Sequence, residues 1–272
     1  MLMNALEIVC LTDPGMVRSH NEDAVLANPM LGLVVLADGM GGYNAGEVAS
    51  GMATASLGAE LEKSFVGKSP HTKEKDGRLW AHVALSEQIA GTNASIYEAA
   101  QSQPQYAGMG TTLVSAVFYN NSVTVAHIGD SRLYRLRDGE FSQLTKDHSL
   151  LQEQIDAGLV TKEQARTSQN KNLVTRALGV DPAVEPEIRD YEVKQGDIYL
   201  LCSDGLNDMV DDDEIGMTLG MLAANLELCA AQLVQMANDN GGRDNVSVIL
   251  IKVKSEFPAV ISRWQRLLAW FK

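Results

Sequence analysis

Four aspartates share one local setting. The apolar run Val34-Val35-Leu36-Ala37 climbs to Asp38 and breaks at once into Gly39-Met40-Gly41-Gly42. Val123 to Gly129 leads to Asp130, Ile198 to Ser203 leads to Asp204 and Gly205, and Asp244 stands just before the apolar run Val246 to Ile251. One Asp-Gly pair ordinarily marks no more than a hairpin turn. Four carboxylates delivered to strand tips along the chain predict a shared site for a hard cation, because carboxylate and carbonyl oxygens suit Mg²⁺ or Mn²⁺.

If Asp38, Asp204 and Asp244 converge, one bridging carboxylate and two others can hold two divalent ions about 3.5–4 Å apart, with a water between them activated to attack phosphorus. The Gly39 carbonyl is a further hard ligand, and Glu22 and Asp23 can orient metal-bound waters. Arg18 lies four residues before that acidic pair. Its planar fork matches phosphate oxygens, and a plain surface arginine is the equally weighted alternative. His20 and His148 stand in polar stretches and are candidate acids, whereas His127 in an apolar strand reads as packing. The five histidines show no zinc spacing. Gly108-Met109-Gly110-Thr111-Thr112 lacks the Gly-Lys-Ser/Thr of a nucleotide phosphate loop and reads as a tight strand entry.

The elements that must position these groups follow from periodicity. Strands are expected over 5–12 and 31–38, and a helix over 45–65 with Val48, Met52, Ala55, Ala59 and Leu61 or Phe65 on its buried stripe. A second helix is expected over 78–102. From Thr111 the period falls to two, predicting an antiparallel meander of 111–119, 122–128, 132–137 and 140–144, with turns at Asn120-Asn121 and Asp138-Gly139. Residues 149–166 read as a polar helix broken at Gly158, in a mobile surface subdomain. Strands resume at 186–193 and 197–203. Asp211 to Glu214 should cap a short helix. A helix over 226–238 and a last strand over 245–253 complete an α+β pattern.

The chain has 272 residues, 45% of them hydrophobic, and a formal net charge of −13. That charge argues against nucleic-acid binding and requires local cations for any phosphorylated substrate. Cys10, Cys202 and Cys229 form no ligand pattern; Cys10 and Cys202 read as core thiols of a reducing compartment, most simply the cytoplasm. The first Lys or Arg is Arg18, so no secretory leader is expected. After Pro258, the residues Val260, Ile261, Trp264, Leu267, Leu268 and Phe271 fall at helical spacing among Arg263, Arg266 and Lys272. A docked or frayed helix is preferred there over a membrane-surface one.

Taken in order, Arg18-Ser-His-Asn-Glu22-Asp23, Asp38-Gly-Met-Gly-Gly42, Gly129-Asp130-Ser131-Arg132, Ser203-Asp204-Gly205 and Arg243-Asp244-Asn245 resemble the motifs of the metal-dependent type 2C protein phosphatases (PPM family), above all its compact bacterial members. The resemblance runs from about residue 5 to 253. It implies a four-layer α-β-β-α sandwich, two antiparallel sheets flanked by helix pairs, over residues 1–254, with the tail 255–272 outside it. It implies Mn²⁺- or Mg²⁺-dependent hydrolysis of phosphoserine and phosphothreonine, with two tightly bound ions and a third, weaker one. Asp38 would bridge, Gly39 would bind one ion, Asp204 and Asp244 would complete the other, and Asp130 with Asp204 would hold the third. Glu22 and Asp23 would act through water, Arg18 would bind phosphate, and 148–172 would form a flap touching substrate. The chain departs from the pattern at Met40 and Tyr43, where relatives carry His, and at Ser168 in the flap. The proton donor is therefore open between Tyr43, His20, His148 and metal-bound water. Expected partners are phosphoproteins and a bacterial Ser/Thr kinase or its targets, met by a monomer. A phosphoprotein-binding adaptor without turnover is the rival.

Overall fold

The computed structural model describes residues 2–42, 45–161, 164 and 173–259. Tyr43, Ser168 and the tail from 260 lie outside the described residues.

Eleven strands are described. One sheet contains β1 (Leu6–Asp13), β7 (Arg132–Arg137), β8 (Glu140–Gln143), β10 (Ile198–Cys202) and β11 (Val246–Val253), in the order β1-β11-β10-β7-β8. The other runs β2 (Asp23–Asn28), β3 (Leu33–Met40), β5 (Leu113–Tyr119), β6 (Ser122–Ile128), β9 (Glu187–Glu192), with the two-residue β4 (Gly110–Thr111) also paired to β3. All these pairings are antiparallel.

Helices cover both outer faces. After the short α1 (Leu2–Ala5), α2 (Ala45–Phe65) and α3 (Trp80–Ser102) pack on the β3 side. Then come α4 (Leu150–Asp156), the single turn α5 (Asp204–Asn207), α6 (Asp212–Met221) and α7 (Leu226–Asp239). The last three pack on the outer face of the five-stranded sheet. Alternation along β3 shows why its sequence is apolar throughout. Val34 and Leu36 face the opposite sheet with Phe118, Tyr199 and Ile249, while Leu33, Val35 and Ala37 face α2 and α3. A strand buried on both faces has no polar side. The α-β-β-α sandwich is thereby realised. Among the described residues, no helix is long and apolar enough to cross a membrane.

Three expectations need correction. The expected meander is two hairpins in different sheets, because the chain leaves β6 through Gly129 at φ +100° and enters β7 in the other layer. The α2 stripe is as expected only in part: Leu61 is buried and Val48, Met52 and Phe65 pack against the core, but Ala55 and Ala59 are exposed, and the fully buried face is Ala49, Ala53, Leu57 and Leu61 with Gly46, Ser50 and Gly58. On a helix this rich in small residues, several faces look equally apolar. Cys10 is exposed, because β1 is an edge strand without a neighbour on one side. Of the helix expected over 149–166, Leu150–Asp156 is observed as α4, Gly158 then adopts φ +69°, and residues 162–163 and 165–166 lie outside the described residues. Ser149 caps α4, its hydroxyl accepting the Gln152 N–H at 3.2 Å.

Candidate metal centre

Strand register brings the acidic tips together. Asp23 opens β2 opposite Asp38 near the end of β3. Ile128 ends β6 opposite Leu113 at the start of β5, which sets the Asp130 turn beside Thr112. Arg132 opens β7 opposite Cys202 at the end of β10, and Cys202 pairs with Val248 near the start of β11. Asp23, Asp38, Asp130, Asp204 and Asp244 therefore stand at one end of both sheets.

A scaffold of polar contacts fixes this rim. The Asp38 N–H donates to Thr112 Oγ1 at 3.1 Å, and the Asp38 carbonyl accepts the Thr112 N–H at 2.9 Å and the Thr111 hydroxyl at 2.8 Å. The Thr112 and Ser131 hydroxyls meet at 2.7 Å, tying the Asp38 tip to the Asp130 turn. The Ser203 hydroxyl donates to Asp23 Oδ2 at 2.8 Å. Asn245 accepts the Glu22 N–H at 2.8 Å and donates to the Pro14 and His20 carbonyls at 3.0 and 2.9 Å, pinning the 14–22 loop to β11. Gly39 sits so close to the first turn of α2 that an added Cβ would collide with the Gly46 carbonyl. Only glycine permits that approach.

The electrostatics of the rim call for a cation. Enclosure by protein, then repulsion from Asp23, Asp204, Asp130 and Asp244, hold the Asp38 carboxyl well above the carboxylate range. Enclosure, then Asp130, Asp208, Asp244 and Asp23, do the same to Asp204. Desolvation pushes Asp23 and Asp130 each up to about 6. Like charges directly opposite on paired strands are unfavourable, as Asp23 and Asp38 are. Asp23 Oδ1 is buried without a hydrogen-bond partner. Carboxylate oxygens crowded and unpaired in this way fit hard divalent cations, whose charge removes the repulsion and restores the ionised forms.

The structure brings together Glu22, Asp23, Asp38, Gly39, Asp130, Asp204 and Asp244, with Arg18 at the edge. The Arg18 guanidinium is half-exposed, and its Nη2 donates to Asp244 Oδ2 at 2.6 Å. His20 is exposed at the same rim. His148 is a correction. It is buried, its ring stacks on His127 with centroids 4.7 Å apart, its Nδ1 accepts the Gly129 N–H, and its Nε2 is buried without a hydrogen-bond partner, 3.7 Å from Glu187. The proton-bearing Nε2 is enclosed, so the ring offers no exposed proton. Burial, then His127, push its pKa down to about 4, so the ring is neutral at pH 7.

One ligand atom each from His127, His148 and Glu187 lies within 4.8 Å of the others. The hydrogen bonds assign a different role. His127 Nε2 meets the Lys146 carbonyl at 2.8 Å and carries the proton. The Gly129 N–H donates to His148 Nδ1, so the His148 proton sits on Nε2, 3.7 Å from Glu187. That nitrogen is a donor, not a metal ligand.

Sequence reasoning missed several participants. Asp208 raises the pKa of both Asp130 and Asp204. Its spacing was the available signal: four residues after Asp204, its N–H donates to the Asp204 carbonyl at 2.8 Å in one helical turn. Thr112, Ser131, Ser203 and Asn245 gave no comparable signal, because their partners lie far away in sequence.

The fold has close counterparts. Residues 17–246 match the family model described as protein phosphatase 2C. The serine/threonine protein phosphatase PstP of Mycobacterium tuberculosis is 40% identical over 248 residues, covering 91% of this chain and 45% of PstP. The chain thus spans about half the length of that relative. Protein phosphatase PhpP of Streptococcus pneumoniae is 36% identical over 256 residues, covering 92% of this chain and 99% of PhpP. A crystal structure of the PstP catalytic domain, in complex with two manganese ions, superposes with a TM-score of 0.77 at 39% identity, covering 92% of this chain and 99% of that one. A family model matched over residues 17–246, together with relatives and a solved structure that cover 91–92% of the chain at 36–40% identity, means that this chain belongs to the protein phosphatase 2C (PPM) family.

Proposed function

We propose that this chain is a metal-dependent protein serine/threonine phosphatase. The observation that carries the reading is the set of crowded, desolvated carboxylates of Asp38, Asp204, Asp130 and Asp23 at one rim of the sandwich, beside an arginine. Asp38, the Gly39 carbonyl, Asp204 and Asp244 would hold two Mn²⁺ or Mg²⁺ ions, and Asp130 with Asp204 a weaker third. Bound there, such ions would acidify water and neutralise charge on the phosphoryl group.

The chain's own residues do the rest. Glu22 and Asp23 orient water at the rim; Ser203 holds Asp23 in place for this. Arg18 exchanges its Asp244 partner for the phosphate oxygens once Asp244 is engaged elsewhere, and its fork aligns the ester. His20 is the described side chain left to protonate the departing alkoxide, and Tyr43 is the candidate outside the described residues. The catalytic unit spans residues 1–254, with 148–172 as a substrate-touching flap and 255–272 as a separate tail. We place the protein in the cytoplasm as a monomer opposing Ser/Thr kinases, with membrane contact by the tail the lesser expectation.

The substrate class is tested by comparing rates on a phosphothreonine peptide, a nucleoside monophosphate and a phosphodiester, each with Mn²⁺ and with EDTA. Mn²⁺-dependent cleavage of the peptide above the other two is expected. A preference for the nucleotide or the diester would reassign the chain to another class of hydrolase.

A further inference from the structure

Two adjacent residues grip the turn that carries Asp130. His148 donates its backbone N–H to the Gly129 carbonyl at 2.9 Å and accepts the Gly129 N–H on Nδ1 at 3.2 Å. Asp147 takes the Arg132 guanidinium on both oxygens, with contacts of 3.0, 3.0 and 2.7 Å. Asp130 lies between the two points held. The His148 ring cannot swivel freely, because it is buried and stacked on His127, which is itself fastened to the Lys146 carbonyl.

The other side of His148 leads into the 148–178 region. Its carbonyl accepts the Thr175 N–H at 2.8 Å, Ser149 bridges to Val174, and the Leu150 N–H donates to the Leu173 carbonyl at 2.9 Å. Leu178 then exchanges two backbone hydrogen bonds with Thr111, at 2.8 and 3.0 Å, and the Thr111 hydroxyl donates to the Asp38 carbonyl. Residues 173–178 are thus stitched to His148–Leu150 and Thr111, which in turn hold the Asp130 turn and the Asp38 tip.

We propose that His148 is a positioning residue: through Gly129 it fixes the Asp130 carboxylate for metal binding and couples that carboxylate to the segment leaving the flap. The proposal rests on reading Asp130 as a metal ligand. The imidazole is suited to the task because its Nδ1 must stay an acceptor, and the low pKa keeps the ring neutral through the physiological range. Removing that acceptor leaves a buried N–H without a partner and lets the turn relax.

Mn²⁺ binding isotherms followed by electron paramagnetic resonance on folded protein, without substrate, test this. Asp130→Asn first identifies the ion that depends on Asp130. His148→Leu should weaken that same ion about 10- to 100-fold, as loss of a group supporting a ligand does, and leave the other ions unchanged. His148→Asn, whose Oδ1 reaches the place of Nδ1, should restore most of the affinity. Wild-type binding in His148→Leu, or an Asn variant as weak as Leu, would overturn the positioning role. If Asp130→Asn alters no ion, the ligand reading fails first and the proposal falls with it. Should His148→Leu not fold, His148→Gln, which carries its polar end to the Nε2 position instead, replaces it with the same expectation.

Discussion

At the scale of single residues, Asp38, Asp130, Asp204 and Asp244 were legible as candidates because each stands at one end of an apolar run, where the chain turns. Their helpers were not. Thr112 serves Asp38 from 74 positions away and Ser203 serves Asp23 from 180, and such contacts exist only once the sheets have formed. The role proposed for Arg18 is testable: Arg18→Ala should raise the KM for a phosphopeptide about 10- to 100-fold, the worth of a charge-assisted hydrogen bond, with a smaller change in kcat. An unchanged KM would remove the clamp. The acidic rim also sets a pH dependence. Asp23 and Asp130 titrate near 6 in the folded chain against an ordinary 3.8. The folded form therefore binds protons that the unfolded chain has released, and metal-free stability falls as pH rises from about 4 through about 6. Saturating Mn²⁺ should cancel that loss, so the gap in Tm between Mn²⁺ and EDTA should widen from pH 5 to pH 7. A constant gap would mean that the carboxylates are not what the metal relieves.

At the scale of elements, the bounds of α2 were legible and its buried face only in part: Leu61 is buried and Val48 and Met52 pack on the core, but Ala55 and Ala59 are exposed. Alanine, glycine and serine recur around the whole helix, so periodicity could not single out the side that touches β3. The structure does so through contact with the site: Gly39 and the first turn of α2 pack backbone to backbone. Gly39→Ala should cost about 1–3 kcal/mol or more in urea unfolding, because backbone must move. On the same helix, Ala55→Glu should lie within about 0.5 kcal/mol of wild type, since Ala55 is exposed. Ala53→Glu should unfold the protein or nearly so, because Ala53 is fully buried and a lone carboxylate has no partner there. Similar behaviour of the two glutamate variants would contradict the observed burial of Ala53 and exposure of Ala55.

At the scale of the whole molecule, most of the strands and the α+β class followed from periodicity, but the two-residue β4 and the division into two sheets did not. Val34 and Leu36 look no different in sequence from Val35 and Ala37, yet they face different layers. The layering came from the resemblance, and the structure supplied its reason in Gly129, whose left-handed turn moves the chain between sheets. The net charge of −13 also acts at this scale. It repels phosphorylated, acidic substrates at long range, and salt screens that repulsion. kcat/KM for an acidic phosphopeptide should therefore rise severalfold from low to physiological ionic strength, while that for a basic one falls. A steep fall for the acidic peptide would point to steering by a local basic surface instead.

The central claim is that carboxylates gathered at one rim hold the divalent ions that drive phosphate release, with Asp38 at their centre. It is tested most directly by phosphate release from a phosphothreonine peptide across a Mn²⁺ titration, in wild type and in folded Asp38→Asn. Release that depends on Mn²⁺ in the wild type and is lost in the variant at every concentration is the predicted result. Near-normal release by Asp38→Asn, or wild-type release undiminished by EDTA, would contradict it.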